Sequence, residues 1–336
     1  MAADRAPRAL GLISAATATG FRSLFGIDAA GYTPHAVHGP ARTYQESNCY
    51  TDIVIELLHA RGDEPLAALG SLLRMDFEGD QWSFFKPFGE DLERLFGIDI
   101  HEMQPYRALP EQIAEQIDAG RTIAVELDSW FLPDTHATSY RREHVKSSII
   151  AEAIDLDRTW LRYFHGPGLF ELDGEDFAGV FRTAGAAPDV LPPYTELVRF
   201  DAGPRLAGDA LREASRASLR GHLAHRPRTD PFERFAAQLE RELPSLLAGD
   251  AEGYHAYAFA TVRMVGAAFE LAAAQADWLL GAGAEPVSDP MRAIVEGSKV
   301  LSFRLARRRS FDPAPVLASL SEAWRSAMMA LEGVVA

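Results

Sequence analysis

The spacing of hydrophobic residues along the first 120 positions predicts several helices. Apolar residues recur with a helical period between Tyr50 and Leu58, and Ser47 or Asn48 precedes this run as an N-cap. Further helical patterns cover residues 65–74, 89–96 and 110–119. The pattern around residue 50 therefore predicts that Cys49 lies at the N-terminus of a buried helix.

Three later segments have the composition and alternation of strands. They cover residues 122–127, 144–151 and 159–164. Turn-forming residues between Asp155 and Asp157 join the second segment to the third, which predicts an antiparallel pair. Helices followed by an antiparallel sheet give the first part of the chain an α+β fold class.

The second part of the chain has a different pattern, in which nearly every segment is helical. Glycine and proline cluster between positions 184 and 204 and mark a boundary near residue 200. Helical patterns then cover 207–225, 231–247, 253–280, 289–305 and 313–335. We therefore predict an α+β domain over residues 1–200 and an all-α helical bundle over residues 201–336.

Composition narrows the classes of function. The 336 residues include 33 Lys and Arg against 48 Asp and Glu, a formal charge of −15, which argues against nucleic-acid or anionic-membrane binding. The most apolar long stretch, 264–284, contains Glu270 and Asp277 and predicts no membrane span. The run 9–20 is rich in Ala and Thr rather than Leu and is followed by no clean cleavage site, unlike a signal peptide, so we expect a cytoplasmic protein.

The single cysteine is the first candidate for chemistry. One cysteine excludes an internal disulfide and any multi-cysteine zinc site, and we expect no bound metal. A lone cysteine is most often a small buried hydrophobic residue. The predicted place of Cys49 at a helix N-terminus instead favours the thiolate, and its polar neighbours 45–48 indicate a groove.

Two of the ten histidines lie on predicted strands, where one of them can serve as a base for Cys49. His144 opens the second strand segment and His165 follows the third. If these strands are antiparallel neighbours, His144 lies beside His165, which is the arrangement of a base and its orienting group. Asp155 and Asp157 are the alternative third members, although both suit a turn.

Several segments resemble an uncharacterised bacterial family, domain of unknown function 1839. They are RTYQESNCYTD (42–52), DFEGDQWSFFK (76–86), LPDT (132–135), YRREHVK (140–146) and YFH (163–165). The resemblance covers residues 20–200 and extends more loosely over the helical remainder. More distantly, Asn48-Cys49, the turn from Asp128 to Pro133, and His144 resemble the N-terminal domain of butirosin biosynthesis protein H, a papain-like cysteine acyltransferase domain.

This resemblance implies a papain-like core, with Cys49 on the N-terminal helix and His144 on the antiparallel sheet. It implies that Cys49 is the nucleophile and His144 the general base of an aminoacyl or acyl transferase. The donor would be the phosphopantetheine thioester of an aminoacyl carrier protein, and the acceptor a small-molecule or peptide amine. The protein itself would need no cofactor. The related NlpC-type peptidases use a second histidine as orienter, which corresponds to His165.

Other residues are candidates for the oxyanion and the substrate. The backbone N–H of Cys49 with a donor from Gln45 or Asn48 would form an oxyanion hole. Asp128 and Asp134 flank the loop after the first strand, where they either bind the α-ammonium of an aminoacyl group or stabilise the loop.

Two other functions remain open. A cysteine peptidase or amidase would use the same residues, with water in place of the amine. A non-catalytic scaffold would bind a carrier protein without chemistry. We also predict that the helical half, with its aromatic stretch 254–269, packs over the groove of Cys49 and His144. The basic run 307–309 either receives an acidic carrier protein or lies at a solvated helix end.

Overall fold

The structure, a computed structural model, describes residues 20–45, 48–183, 185 and 191–335. The proposed N-cap residue Ser47, most of the N-terminal run 9–20 and part of the predicted boundary lie outside these residues. Within them the fold is α+β, with an antiparallel sheet in the first part and helices in the second. This confirms the predicted α+β class and the predicted helical second part.

The first part contains nine strands and four α-helices among the described residues. The strands are β1 (Phe21–Ser23), β2 (Phe77–Glu78), β3 (Gln81–Trp82), β4 (Asp99–Glu102), β5 (Thr122–Asp128), β6 (Lys146–Asp155), β7 (Trp160–His165), β8 (Gly168–Asp173) and β9 (Thr195–Arg199). The helices are α1 (Cys49–Ala60), α2 (Gly89–Phe96), α3 (Leu109–Asp118) and α4 (Gly174–Val180), with a 3₁₀ helix over Pro65–Arg74.

Seven of the strands form one antiparallel sheet. Its order is β4-β9-β5-β6-β7-β8, and β1 pairs with the distal end of β6. The three strands predicted from the sequence are therefore the centre of the sheet. The remaining hairpin, β2–β3, stands apart from it.

The sheet is covered on both faces. α1 packs on one face, where Ile53 joins a core cluster with Ala124 and Phe164. On the other face Ile113 of α3 joins a cluster with Tyr163. Because successive strand residues point to opposite faces, neighbouring positions on one strand serve different layers.

The second part contains six α-helices among the described residues. They are α5 (Gly208–Ala224), α6 (Pro231–Ala248), α7 (Ala251–Ala258), α8 (Met264–Leu280), α9 (Glu285–Ala306) and α10 (Ala314–Val335). A π-helical turn, Phe259–Arg263, joins α7 to α8. The five predicted helical segments are confirmed, the third of them being interrupted by this turn.

The helical half shares a core with the first part of the chain. One large cluster joins Phe232 and Phe269 of the bundle to Leu69, Phe77 and Trp82 from the first part. Among the described residues the run Ala251–Gly283 is apolar and long enough to cross a membrane, and 61% of its most apolar part is buried within the protein. This degree of burial is typical of a helix in a protein core.

Candidate functional site

Cys49 is the first residue of α1, as predicted, and is half-buried. Asn48 is the N-cap: its Oδ1 accepts a hydrogen bond from the N–H of Thr51 at 3.0 Å. The amide Nδ2 of Asn48 donates to the carbonyl of Phe85 at 2.6 Å. The helix therefore begins at Cys49 because Asn48 satisfies one of its first N–H groups.

These bonds separate the two candidates for the oxyanion donor. The Asn48 side chain is buried, and both ends of its amide are used in the cap and in the bond to Phe85. Gln45 is exposed, and its backbone carbonyl accepts a hydrogen bond from Nη2 of Arg263 at 2.9 Å. Gln45 is thus the candidate that lies at the protein surface.

His144 forms a histidine–carboxylate pair with Asp128. Its Nδ1 lies 2.6 Å from Oδ2 of Asp128, while Oδ1 of Asp128 accepts from the N–H of Trp130 at 3.0 Å. The Trp130 ring stacks on the imidazole, with centroids 4.6 Å apart and planes inclined by 8°. The His144 side chain is 67% exposed, so its ring is held in one orientation yet open to solvent.

His165 does not lie beside His144, which corrects the expectation from the sequence. Strands β6 and β7 are antiparallel neighbours, but their register pairs His165 with Ile149, whereas His144 precedes β6. Nδ1 of His165 contacts Oδ2 of Asp134, and Nε2 lies 2.6 Å from Oγ of Ser147. The two histidines therefore use different carboxylates.

The sheet also separates His165 from Cys49. His165 shares the face of Tyr163, which α3 and α4 cover, whereas α1 packs on the opposite face. Asp134 binds both the Tyr163 hydroxyl and His165, so its carboxylate belongs to that second layer. The alternative third members lie elsewhere: Asp155 is the last residue of β6, and Asp157 follows in the turn to β7.

Helix α1 begins at the same edge of the sheet as the His144–Asp128 pair. The Tyr50 hydroxyl donates to Glu196 near the start of β9 at 2.7 Å, and Arg61 lies over Phe200 just beyond its end. Helix α1 therefore points in the same direction as β9, while it packs over β6 and β7. The first residue of β9, Thr195, pairs with Val125 in the middle of β5, and β5 continues beyond it to Asp128. The edge of the sheet at which β5 ends is therefore the one towards which Cys49, Asp128 and His144 lie.

A buried ionic network lies beneath this end of α1, and the sequence did not reveal it. The His38 side chain is fully buried between Asp52, 3.1 Å from its Nε2, and Glu56, in contact with its Nδ1. Arg42 donates to Asp52 at 2.9 Å, and the Tyr32 hydroxyl donates to Glu56. Burial alone would lower the pKa of His38, but the bonds to Asp52 and Glu56 outweigh it and raise the pKa above its usual value.

The network continues the helical stripe on which Cys49 lies. Positions 49, 52 and 56 are separated by three and four residues and share one side of α1. The sequence offered one signal of this network, namely two carboxylates, Asp52 and Glu56, in an otherwise apolar helix. Their partner His38 ends a short 3₁₀ helix, Ala36–His38, which has no pattern in the sequence, so only the folded chain shows the pairing.

The helical half contacts the segment before Cys49, while its packing over the groove of Cys49 and His144 stays a prediction. Both carboxylate oxygens of Glu270 accept backbone bonds, from Thr43 at 2.6 Å and from Tyr44 at 2.9 Å. Arg263 of the π-helical turn holds the carbonyl of Gln45. Helix α8 and the π turn therefore position the residues that lead into α1.

A cavity of about 340 Å³ opens beside Asp128. Apolar side chains of Leu109, Phe181 and Pro193 contribute to its lining, together with Arg107 and Asp128. Within the described part of the chain no group of three or more His, Cys, Asp or Glu side chains could hold a metal ion. The His144–Asp128 pair thus lies beside a cleft that residues of α3 and α4 help to line, whereas Cys49 begins the helix on the opposite face of the sheet.

Comparison with known families covers both parts of the chain. Residues 33–200 match the model of the DUF1839 N-terminal domain, and residues 208–333 match that of the DUF1839 C-terminal domain. A search of curated proteins finds no match.

Proposed function

The chain belongs to the DUF1839 family, and we propose that it is a cysteine-dependent acyltransferase with a papain-like core. It would move an acyl group from a carrier-protein thioester to an amine through an acyl-enzyme on Cys49. The observation that carries this proposal is the His144–Asp128 pair at the sheet edge where α1 begins. A nucleophile at a helix N-terminus and an oriented base are the two parts that this chemistry needs.

Asp128, rather than His165, is the orienting group in this proposal. A carboxylate only accepts hydrogen bonds, so the contact at Asp128 Oδ2 fixes the proton on Nδ1 of His144. The lone pair of the neutral ring is then on Nε2, the atom that would accept a proton from Cys49 or from the amine. Stacking on Trp130 restricts rotation of this ring.

The reaction follows in two transfers. Cys49 gives its proton to His144, the resulting thiolate attacks the thioester carbonyl, and a new C–S bond forms. The C–S bond to phosphopantetheine then breaks, and its thiol leaves with the proton from His144. The acceptor amine then attacks the acyl-enzyme, His144 takes a proton from it, an amide forms and the Cys49 thiolate leaves. Thioester exchange is nearly thermoneutral, so this chemistry requires no redox or metal cofactor. The Cys49 N–H and the Gln45 side chain would stabilise the oxyanion.

The surroundings of the site suggest where each substrate binds. The cavity beside Asp128 combines apolar side chains with the charged residues Arg107, Glu126, Asp128 and Arg182, and we propose that a small acceptor amine enters through it. The acyl donor would approach Cys49 from the side of Gln45, where Arg263 of the helical half is in contact. We therefore propose that the helical half forms the donor-side wall.

Hydrolysis is the second candidate function. The His144 side chain is 67% exposed, so water as well as an amine can reach the base. An amidase or peptidase would use the same acyl-enzyme and release it to water. Transfer and hydrolysis differ only in which nucleophile resolves the acyl-enzyme.

Mass spectrometry of the intact protein tests the proposal. The protein is mixed with glycyl and alanyl thioesters of N-acetylcysteamine, which mimic the end of a carrier arm, with and without a panel of amines. We expect one acyl adduct on Cys49, none on the Cys49→Ala protein, and faster loss of the adduct when an amine is present. Loss at the same rate without amine would identify an amidase. A folded wild-type protein that forms no adduct would overturn catalysis and leave a binding scaffold.

A further inference from the structure

Four side chains on the opposite face of the sheet form a second constellation, which the Cys49 proposal does not use. Nε2 of His165 lies 2.6 Å from Oγ of Ser147, and its Nδ1 contacts Oδ2 of Asp134. The second oxygen of Asp134 accepts the hydroxyl of Tyr163. Serine, histidine and carboxylate are therefore connected in the order found in serine hydrolases.

The contacts also set the proton positions that such a triad needs. Asp134 only accepts, so the proton of the neutral His165 ring is on Nδ1 and the lone pair is on Nε2. The Ser147 hydroxyl must then donate to Nε2. Burial, followed by the nearby Asp134, raises the pKa of Tyr163, which keeps its hydroxyl protonated as a donor to that carboxylate.

The carboxylate and the base of this constellation are enclosed, whereas the serine is half-buried. The Asp134 side chain is 5% exposed and that of His165 is 11% exposed, so the carboxylate and the base are enclosed. Ser147 is half-buried and lies next to the exposed Lys146. Ser147 is therefore not fully buried, and we expect a substrate to reach its hydroxyl.

We propose that Ser147 is a second nucleophile, with His165 as its base and Asp134 as the orienting group, and that it acts on small neutral carboxylic esters. The half-buried ring of Phe170 lies against Gly168, the strand partner of His165. This ring offers an apolar surface for an acyl group. A neutral hydroxyl activated by a neutral base is suited to attack on an uncharged carbonyl carbon.

The reaction can be written with the existing groups and water. The Ser147 proton moves to Nε2 of His165 as the Oγ–C bond forms, and the ester C–O bond breaks. The leaving alcohol takes the proton from His165. Water then attacks the acyl-serine, gives one proton to His165, and releases the acid as Oγ regains that proton.

A fluorophosphonate probe tests this site without interference from the cysteine. The probe is applied to the Cys49→Ala protein, and the labelled peptide is identified by mass spectrometry. We expect label on Ser147, with fluoride released as the Oγ–P bond forms. Adding Ser147→Ala should lower the labelling rate at least about 100-fold, since the nucleophile is removed. The control is Ser148→Ala, which removes the neighbouring buried serine on the opposite face and should leave labelling unchanged.

A second variant separates activation from mere structural support. Asp134→Asn keeps the size of the side chain but no longer fixes the tautomer of His165, so labelling should slow by about 10² or more and its pH profile should change. Folded Cys49→Ala protein that carries no label at Ser147 would overturn the proposal, with the hydrogen bonds then serving only to fix the loop on β7. That result would leave the Cys49 proposal untouched, because its test uses a different residue and probe.

Discussion

At the scale of single residues, two carboxylates that are six positions apart in the sequence contact different histidines. Asp128 pairs with His144 and Asp134 pairs with His165, on different layers of the sheet. The sequence identified all four residues as candidates but could not pair them. The register Asp128–Lys146, continued two residues outward, brings Trp130 opposite His144, which explains their stacking. That register depends on how the loop 129–145 closes, and composition carries no information about it.

Asp128→Asn tests the assignment of the orienting carboxylate. The amide can donate to Nδ1 and so favours the wrong tautomer of His144. We expect acyl transfer to fall by a factor of about 10² to 10⁴ in kcat/KM, measured with the thioester donors. His165→Gln is the matched control and should retain transfer, since His165 lies on the other face. An equal loss of kcat/KM in both variants would mean that His165 is part of the triad.

Because His38 is buried between Asp52 and Glu56, the free energy of unfolding depends on pH. The raised pKa of His38 means that its protonated form stabilises the fold. This contribution is complete below the unfolded value of about 6.5 and is lost as the pH rises through the higher folded pKa. We expect His38→Gln to cost about 3 kcal/mol in urea unfolding at pH 6 and less at pH 9.

A surface histidine provides the control for this measurement. His101 also pairs with an aspartate, Asp99, but its side chain is 49% exposed. His101→Gln should change the free energy of unfolding by less than about 1 kcal/mol. A cost for His38→Gln that does not decrease between pH 6 and pH 9 would contradict the charged role of His38.

At the scale of elements, helices were predictable and several strands were not. Helix α2 ends at Gly97, whose φ of 65° requires the left-handed conformation, and the sequence predicted that end. Strands β4 and β9 pair with each other across about a hundred residues, and neither has a local pattern of its own. The π turn at Phe259–Arg263 was likewise invisible, because its residues continue the helical pattern. Local sequence signals determine where a helix is capped, whereas pairing with a distant segment determines where a strand forms.

Asn48→Ala tests how the start of α1 is held. The variant removes the cap of Thr51 and the donor to the Phe85 carbonyl. We expect a loss of about 1 kcal/mol for the cap and a further loss of about 0.5 to 1.5 kcal/mol for the bond to the Phe85 carbonyl, which keeps the Thr51 hydroxyl as a donor, measured by chemical unfolding. Asp250→Ala removes an exposed cap of α7 and should cost only the first amount. Equal losses would mean that the bond to Phe85 contributes nothing.

At the scale of the whole molecule, the two sequence regions act as one folded unit. The 3₁₀ helix and the β2–β3 hairpin of the first part lie in the core of the bundle, and Leu211 of α5 lies in the core beneath the sheet. Composition marked the change of fold type near residue 200 but not this exchange of core residues. Side-chain packing between distant segments leaves no periodic signal in either of them. The helical half is therefore part of the frame around Cys49.

Gly266→Ala tests this coupling between the bundle and the site. A Cβ at Gly266 of α8 would lie 2.2 Å from the buried Tyr44 ring, so the ring and the segment that carries Gln45 must move. We expect a loss of about 1 to 3 kcal/mol in stability and slower acylation of Cys49 in protein that remains folded. Gly221→Ala on the exposed side of α5 meets no atom within 4 Å and should instead gain up to about 1 kcal/mol from helix propensity, with acylation unchanged. Normal acylation in folded Gly266→Ala protein would show that the position of the segment before Cys49 does not control its chemistry.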